Sequence, residues 1–388
     1  MGLDVVDVGW PSSAAIAFGS TIGAAIIPLA LALNMILLFT GLTRTFNIDL
    51  WNFWHSAMIG ALVGVIAHSF WWGLVAAACH MAVMLAIADL TAPIVQKYFG
   101  LPDISFPHGT SAPYGLLAIP LNALFDRIPG FNKLDATPQA IQKRFGIFGE
   151  TLVMGLILGL LIGLLGFGFA HPAEDSKKIL TLAISLAAVM FLLPRMVSVL
   201  MEGLMPISEA ARDFVQKRFP GRTFYIGLDS AVAVGQPSVI ATSLLLVPIT
   251  LFLAVGLAPL GNRVLPLVDL ATIPFIVAII VAIFRGNIVR STIGGAVLIG
   301  LGLFVSTWIA PVFTEVAVAS GFSLGKGQHT ISSLVDGSNP LTAFYFAAAK
   351  AGVPGMIVAL VLSFGSLFAV RTVMNRRDRE QTKQEVAQ

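Results

Sequence analysis

Residues 104–124 are largely apolar around one interruption, Pro107-His108-Gly109-Thr110-Ser111-Ala112-Pro113. A second apolar stretch, 328–350, is interrupted in the same way by Asp336-Gly337-Ser338-Asn339-Pro340. Proline and glycine break a helical hydrogen-bond ladder and free backbone polar groups. Inside a membrane such groups survive only where protein covers them or a wet cavity receives them. Both stretches are therefore read as re-entrant hairpins, each entering and leaving on one side. That reading makes this an all-α polytopic membrane protein with broken elements at its centre.

The rest of the chain agrees. Of 388 residues, 57% are hydrophobic and only 11% charged, against about 25% charged in a soluble domain. A hydrocarbon core needs roughly 20 apolar residues per helix. Nine spans are expected, at 13–38, 48–67, 70–90, 149–169, 178–203, 238–259, 264–284, 289–310 and 352–370. The net charge of +3 is carried in short loops such as Arg127, Lys133, Lys143 and Arg144, and Arg212, Lys217, Arg218 and Arg222. That is a topology signal rather than a nucleic-acid face, and it puts the basic tail 371–388 in the cytoplasm. Segment 206–219, opening at Pro206 with Ile207, Ala211, Phe214 and Val215 on one face, suits a short amphipathic interfacial helix. Cys79 is the single cysteine, so no disulfide framework or cysteine metal pair is available.

An internal repeat is expected. Gly9-Trp10-Pro11-Ser12 resembles Gly235-Gln236-Pro237-Ser238. At a constant offset of 220, Pro28 meets Pro248, Gly41 meets Gly261, and Asp49-Leu50 meets Asp269-Leu270. The repeats are placed at about 1–125 and 149–350, within one membrane domain over 1–370. An odd number of spans between equivalent turns makes the repeat inverted, the architecture of secondary transporters, which hold substrate at the repeat interface. Residues 149–234 precede Gly235, whereas only residues 1–8 precede Gly9. Two helices, about 80 residues, are thus expected to be missing from the front.

A transported molecule bearing hydroxyls, each both donor and acceptor, needs a site of carboxylates, amides, imidazoles and free backbone. On the first hairpin His108 fits, with Gly109 permitting close backbone approach and Thr110 and Ser111 adding hydroxyls. Asp336, Ser338 and Asn339 form the expected opposite wall. Gln236 and Ser238 open span 238–259, and Asp229 lies just before them. Asp49, His55, Asp269 and Thr272 form a second tier. For the acids, completion of the helix dipole is the competing role. Trp51 and Trp54 are read as an interfacial belt. His80 and Asp89 are read as helix-to-helix hydrogen bonding, Glu150 as a cap, and Arg195 with Glu202 as an internal ion pair.

At several stretches the chain resembles the galactitol-type enzyme IIC permease of the bacterial sugar phosphotransferase system, in the ascorbate–galactitol superfamily. They are Asp4 to Pro11 (DVVDVGWP), Asn47 to His55 (NIDLWNFWH), Pro107 to Ala112 (PHGTSA), Pro194 to Ile207 (PRMVSVLMEGLMPI), Tyr225 to Asp229 (YIGLD) and Gly261 to Ile273 (GNRVLPLVDLATI). The likeness runs from residue 4 to about 370. It departs at Gly235-Gln236, where that branch tends to have Gly-His, and at Thr151, where Pro usually follows Gly-Glu.

The resemblance implies eleven helices, two inverted repeats, a dimerising scaffold, a mobile core working as an elevator, and a homodimer in the bacterial inner membrane. It implies a sugar alcohol such as galactitol, or a related polyol or sugar, as substrate. Phosphate would come from a separate IIB phosphorylated on cysteine, with IIA, HPr and enzyme I upstream. Cys79, inside an apolar span, does not suit that role. No cofactor, metal or nucleic acid is implied, and neither GxxxxGK[ST] nor HExxH occurs. The rival readings are an ion-coupled secondary transporter, with the membrane acids and His108 carrying protons, and a truncated non-transporting remnant. An intramembrane hydrolase is the weakest, for want of a nucleophile–base pair at recognisable spacing.

Overall fold

In a computed structural model, all residues are described except Met1, Ile48, Asp135, 146–150, 169–170, 219–222, 326–328 and 387–388. The N-terminal part runs β1 (Val5–Asp7), α1 (Gly9–Gly19), α2 (Gly23–Phe39), β2 (Thr45–Asn47), α3 (Trp54–Ile66), α4 (Phe70–Phe99), β3 (Ile104–Ser105) and α5 (Ala112–Phe125). A connection follows with α6 (Pro138–Phe145), α7 (Thr151–Phe167) and α8 (Pro172–Arg218). The C-terminal part runs β4 (Tyr225–Gly227), α9 (Ala231–Val234), α10 (Pro237–Gly256), β5 (Val264–Leu265), α11 (Ile273–Ile283) and α12 (Ile288–Ala319). It ends with β6 (Thr330–Ser332), α13 (Leu334–Gly337), α14 (Pro340–Lys350) and α15 (Gly352–Val386). The chain is a predominantly helical, polytopic membrane protein.

Among the described residues four helices are long and apolar enough to cross a membrane: Phe70–Phe99, Pro237–Gly256, Ile288–Ala319 and Gly352–Glu380. Three of the nine expected spans are corrected. Span 13–38 is broken into α1 and α2, bent by 86°. Ser20 makes the corner: its hydroxyl donates to Ala17 O (2.7 Å) and accepts from Gly23 N (3.0 Å), so one side chain serves both helix ends. Spans 48–67 and 264–284 are shorter apolar helices, Leu50–Ile66 and Asp269–Ile283, each opening on a 3-10 turn.

Other helices run past their expected ends. α4 spans 30 residues from the Ser69 cap to left-handed Gly100. Its buried Asp89 accepts from Thr43, Arg44 N and Thr45 at 2.7–2.9 Å, so that carboxylate fastens the β2 loop onto α4. α8 continues through Pro206, so 206–218 is its last stretch and not a separate helix. The apolar face expected there and the Glu150 cap lie outside the described side chains. Arg195 lies 3.8 Å over the Phe191 ring and makes no ion pair with Glu202. α7 packs on α8 through Gly155, Gly159 and Gly163, where an added Cβ would meet Ala187, Ala183 and Ile179 at 2.4–3.1 Å. Small residues at that spacing let two membrane helices approach closely.

Six short strands, absent from the sequence reading, tie the two parts together. They form two parallel three-stranded sheets, ordered β5-β1-β6 and β2-β4-β3. Val5 pairs with Val264 and Thr330; Ile226 pairs with Phe46 and Ile104. The first strand of each part thus lies between two strands of the other. The entering legs of the two interrupted stretches are β3 and β6, extended rather than helical.

Polar side chains complete the frame. Asn34 on α2 donates to Thr45 O and accepts from Asn47 N, both at 2.9 Å. Buried Asp269 accepts from Trp10 N (2.7 Å), Ser333 Oγ (2.7 Å) and Val335 N (3.3 Å). Asp49 accepts from Trp51 N (3.0 Å) and Asp229 N (3.2 Å). Each acid therefore holds backbone from the opposite part of the chain. α11, whose side chains from Ile276 to Val281 are all fully buried, runs through the largest hydrophobic cluster.

Asp269→Ala leaves three buried donors unpaired. Each such donor costs about 1–3 kcal/mol, so denaturation in detergent should show a loss of about 3 kcal/mol or more. Asp269→Asn, which keeps one acceptor, should lose less. Equal stability of Asp269→Ala and the unaltered protein would show that this carboxylate does not hold the frame.

Candidate functional site

The interruptions converge on one cavity of about 320 Å³, at the small end of the 300–1,000 Å³ range of ligand pockets. Its aromatic wall is Trp10, Trp51, Trp54 and Phe275. Its polar groups are His108, Thr110, Asp229 and Thr272. These come from α1, the turn before α3, the loop before α5, the loop after β4, and the start of α11, so no single segment makes the site.

His55 lies beneath and joins the two interrupted stretches. Its ring is fully buried, with Nδ1 at 2.9 Å from Asp336 Oδ1 and Nε2 at 3.1 Å from Thr110 Oγ1. The other Asp336 oxygen accepts from Ser13 Oγ at 2.5 Å. An ionised carboxylate only accepts, so the His55 proton sits on Nδ1 and Nε2 accepts from the Thr110 hydroxyl. Thr110 then turns oxygen lone pairs, not its proton, to the cavity.

His108 is held similarly. Its Nδ1 lies 2.8 Å from Ser230 Oγ and 3.3 Å from Asp229 Oδ1. Asp229 Oδ1 also accepts from Ala231 N at 2.8 Å. With the nearby Asp229 carboxylate favouring a proton on Nδ1, which donates it to Ser230 Oγ, Nε2 is an acceptor. It has no partner among the described residues, on a ring that lines the cavity. The wall is thus aromatic surface set with acceptors, and Asp229 is its one charged group. Hydroxyl donors on a body with apolar C–H faces suit it.

Close approach governs the centre. A Cβ on Gly109 would lie 2.3 Å from the His55 ring, so only glycine lets the first stretch cross there. Gly109 O accepts from Asn339 Nδ2 at 3.0 Å, and Asn339 Oδ1 caps α14 through Leu341 N at 2.8 Å. The two interruptions are thereby bonded to each other directly and through His55.

Of the expected site residues, His108, Thr110, Asp229 and Thr272 line the cavity. Thr272 donates to Asp269 O at 2.6 Å. Gly109, Asn339, Asp336 and His55 form the shell behind. Ser338 is buried against Tyr114, 2.6 Å between hydroxyls, and also donates to Leu334 O. Ser111 is buried with its hydroxyl unpaired. Asp49 and Asp269 hold backbone beside the cavity rather than facing it.

Gln236 and Ser238 lie elsewhere: Gln236 opens α10 without a side-chain cap bond, and Ser238 bonds the Tyr98 hydroxyl. The belt reading of the tryptophans is corrected. Trp54 is 2% exposed and stacks on His55 at 3.8 Å, while Trp51 meets Trp10 edge-on at 5.9 Å. Trp10, Phe275, Ser13 and Ser230 were missed as site residues. The signal for Trp10 was its place in the Gly9-Trp10-Pro11-Ser12 stretch, which resembles Gly235-Gln236-Pro237-Ser238. His80, as expected, bonds between helices, 2.7 Å from Ser56 Oγ.

Comparison with known proteins gives a consistent result. The family described as PTS system sugar-specific permease component matches residues 1–327. A protein described as a permease IIC component, from Escherichia coli (strain K12), is 41% identical over 338 residues, 87% of this chain and 76% of that protein. The PTS system galactitol-specific EIIC components of Escherichia coli strain K12 and O157:H7 are each 37% identical over 387 residues. That is 99% of this chain and 82% of theirs.

Two glycines test the central contact. Gly109→Ala drives a methyl into the His55 ring and should cost about 1–3 kcal/mol, as overpacking does. Gly115→Ala, whose methyl would meet its nearest neighbour at 3.5 Å, should be neutral or gain up to about 1 kcal/mol from helix propensity. Thermal unfolding in detergent reads both; equal behaviour of the two variants would refute the close crossing.

Proposed function

The chain belongs to the family of PTS sugar-specific permease components, and from that premise we propose that it is the IIC subunit that binds a sugar alcohol in the aromatic cavity and carries it across the membrane. The substrate class is galactitol or a related polyol or sugar. The carrying observation is the cavity itself, with aromatic walls, acceptors at His108, Thr110 and Asp229, and contributions from both parts of the chain. A polyol stacks its carbon chain on the rings and donates hydroxyl protons to the acceptors.

The same reading takes the two parts as inverted repeats of a scaffold and a mobile core, working as an elevator in a homodimer. The reciprocal insertion of β1 and β4 supports it, since each first strand occupies the equivalent place in the other part's sheet. The protein is placed in the bacterial inner membrane with the basic tail of α15 in the cytoplasm. A separate phosphorylated IIB then delivers phosphate to the carried sugar on that side.

Titration of the purified protein with hexitols, pentitols and related sugars should show selective binding. His108→Ala and Asp229→Ala should each weaken it by roughly tenfold or more, the worth of one hydrogen bond to a charged or oriented partner. In vesicles, uptake should require phosphoenolpyruvate and IIB and yield phosphorylated product. Uptake driven by a proton gradient without those partners would overturn the phosphotransferase reading in favour of an ion-coupled transporter.

A further inference from the structure

A second cavity, of about 1140 Å³, lies at the far ends of the elements that build the first. α11 presents Phe275 to the first cavity and Ala282 and Ile283 to the second. α5 starts beside Thr110 and reaches the second at Ile119 and Asn122. The β4 segment has Tyr225 on the second and Asp229 on the first. Along α11, Phe275 and Ile283 are separated by roughly 12 Å at the helical rise. Along extended chain, Tyr225 and Asp229 are separated by roughly 13 Å.

The two cavities differ in charge. The first has Asp229 and no lysine or arginine on its wall. The second is lined by Arg44, Lys97, Arg285 and Arg377, with Asp103, Asp378 and Glu380. Arg44 is committed to Asp378 at 2.6 Å. Lys97 and Arg285 are exposed, and among the described residues neither has a hydrogen bond or ion pair.

Arg285 is also held in an unusual backbone conformation, φ 56°, in the turn between α11 and α12. Gly286 beside it has φ 75°, and a Cβ there would lie 2.4 Å from the Tyr98 hydroxyl, on the wall of this same cavity. A non-glycine residue is strained in this region, and such conformations cluster where function retains them. Here the strained turn packs on Tyr98 and keeps an unpaired guanidinium at the cavity.

We propose that the second cavity binds the phosphate monoester of the carried polyol, with Arg285 and Lys97 as its phosphate ligands. The proposal rests on the reading of the first cavity as the sugar site. A phosphate monoester is close to a dianion at neutral pH. In the first cavity it meets Asp229 and no compensating cation; in the second it meets two cations without protein partners. Guanidinium offers paired donors that match phosphate oxygens, and ammonium adds a mobile point charge. The charge difference then favours the phosphorylated product on the far side of α5 and α11 and opposes its return.

The test uses the full chain in nanodiscs of neutral lipid, titrated with a hexitol, the same hexitol as its phosphate monoester, and inorganic phosphate. Lys97→Gln and Arg285→Gln should each weaken monoester binding roughly tenfold, the worth of one charge-assisted hydrogen bond. Arg285→Lys should retain most of it, and hexitol affinity should be unchanged in all three variants. Monoester binding indifferent to both glutamine substitutions, or absent from a protein that still binds hexitol, would overturn the proposal. Inorganic phosphate binding as tightly as the monoester would overturn the polyol part of the assignment. A protein that binds no hexitol would instead overturn the reading of the first cavity, and this proposal with it.

Discussion

Backbone polar groups exposed inside a hydrocarbon layer must find partners within the protein, and this molecule breaks its chain repeatedly in its interior. The breaks at Ser20, at Asp49, at His108–Ser111, at Asp229, at Asp269 and at Asp336–Asn339 free many amides at once. Two small parallel sheets and a handful of acids and amides receive them. β1 lies between β5 and β6, and β4 between β2 and β3, so each part of the chain satisfies backbone that the other exposes. Asp49 and Asp269 do the same with side chains, and Asn34 satisfies freed backbone within its own part.

That arrangement determines what the cavity can be. Helices passing straight through would present only side chains to one another. Breaks instead bring loop ends together, and with them the small residues and hydroxyls that tolerate irregular backbone. Gly109 crosses the face of His55 because it has no Cβ. Asn339 reaches across to Gly109 O while capping its own helix. The acceptor character of the wall follows from the shell: Asp336 sets the His55 tautomer, His55 sets the direction of the Thr110 hydroxyl, and Ser230, with Asp229 close by, orients His108.

Charge is distributed with the same economy. Carboxylates at the centre are spent on backbone and imidazole, leaving Asp229 alone on the first cavity wall. Basic residues gather around the second cavity, at the far end of α11 and on α4 and α15. On the proposed reading, a neutral polyol and its phosphorylated form meet different surroundings at the two ends of α11, roughly 12 Å apart.

Membrane class and the two interruptions were legible in the sequence, because apolar run length and the positions of Pro and Gly are local properties. His108, Thr110 and Asp229 could be chosen on the same grounds, as polar residues with no local reason to be in an apolar stretch. The strands were not legible: segments as short as Ile104–Ser105 acquire meaning only when a partner from elsewhere lies alongside. Nor was the roll of nine full spans, since a helix of apolar residues looks the same whether it crosses or stops halfway at a sheet. Trp51 and Trp54 read as belt residues until the fold turned them, with Trp10, to a common cavity. Gln236 stood beside a true interruption, yet α10 carries it away from the cavity. Composition and local breaks decide which residues must be covered; which residues cover them depends on chain segments brought together from more than 200 positions apart, such as Trp10 and Asp269.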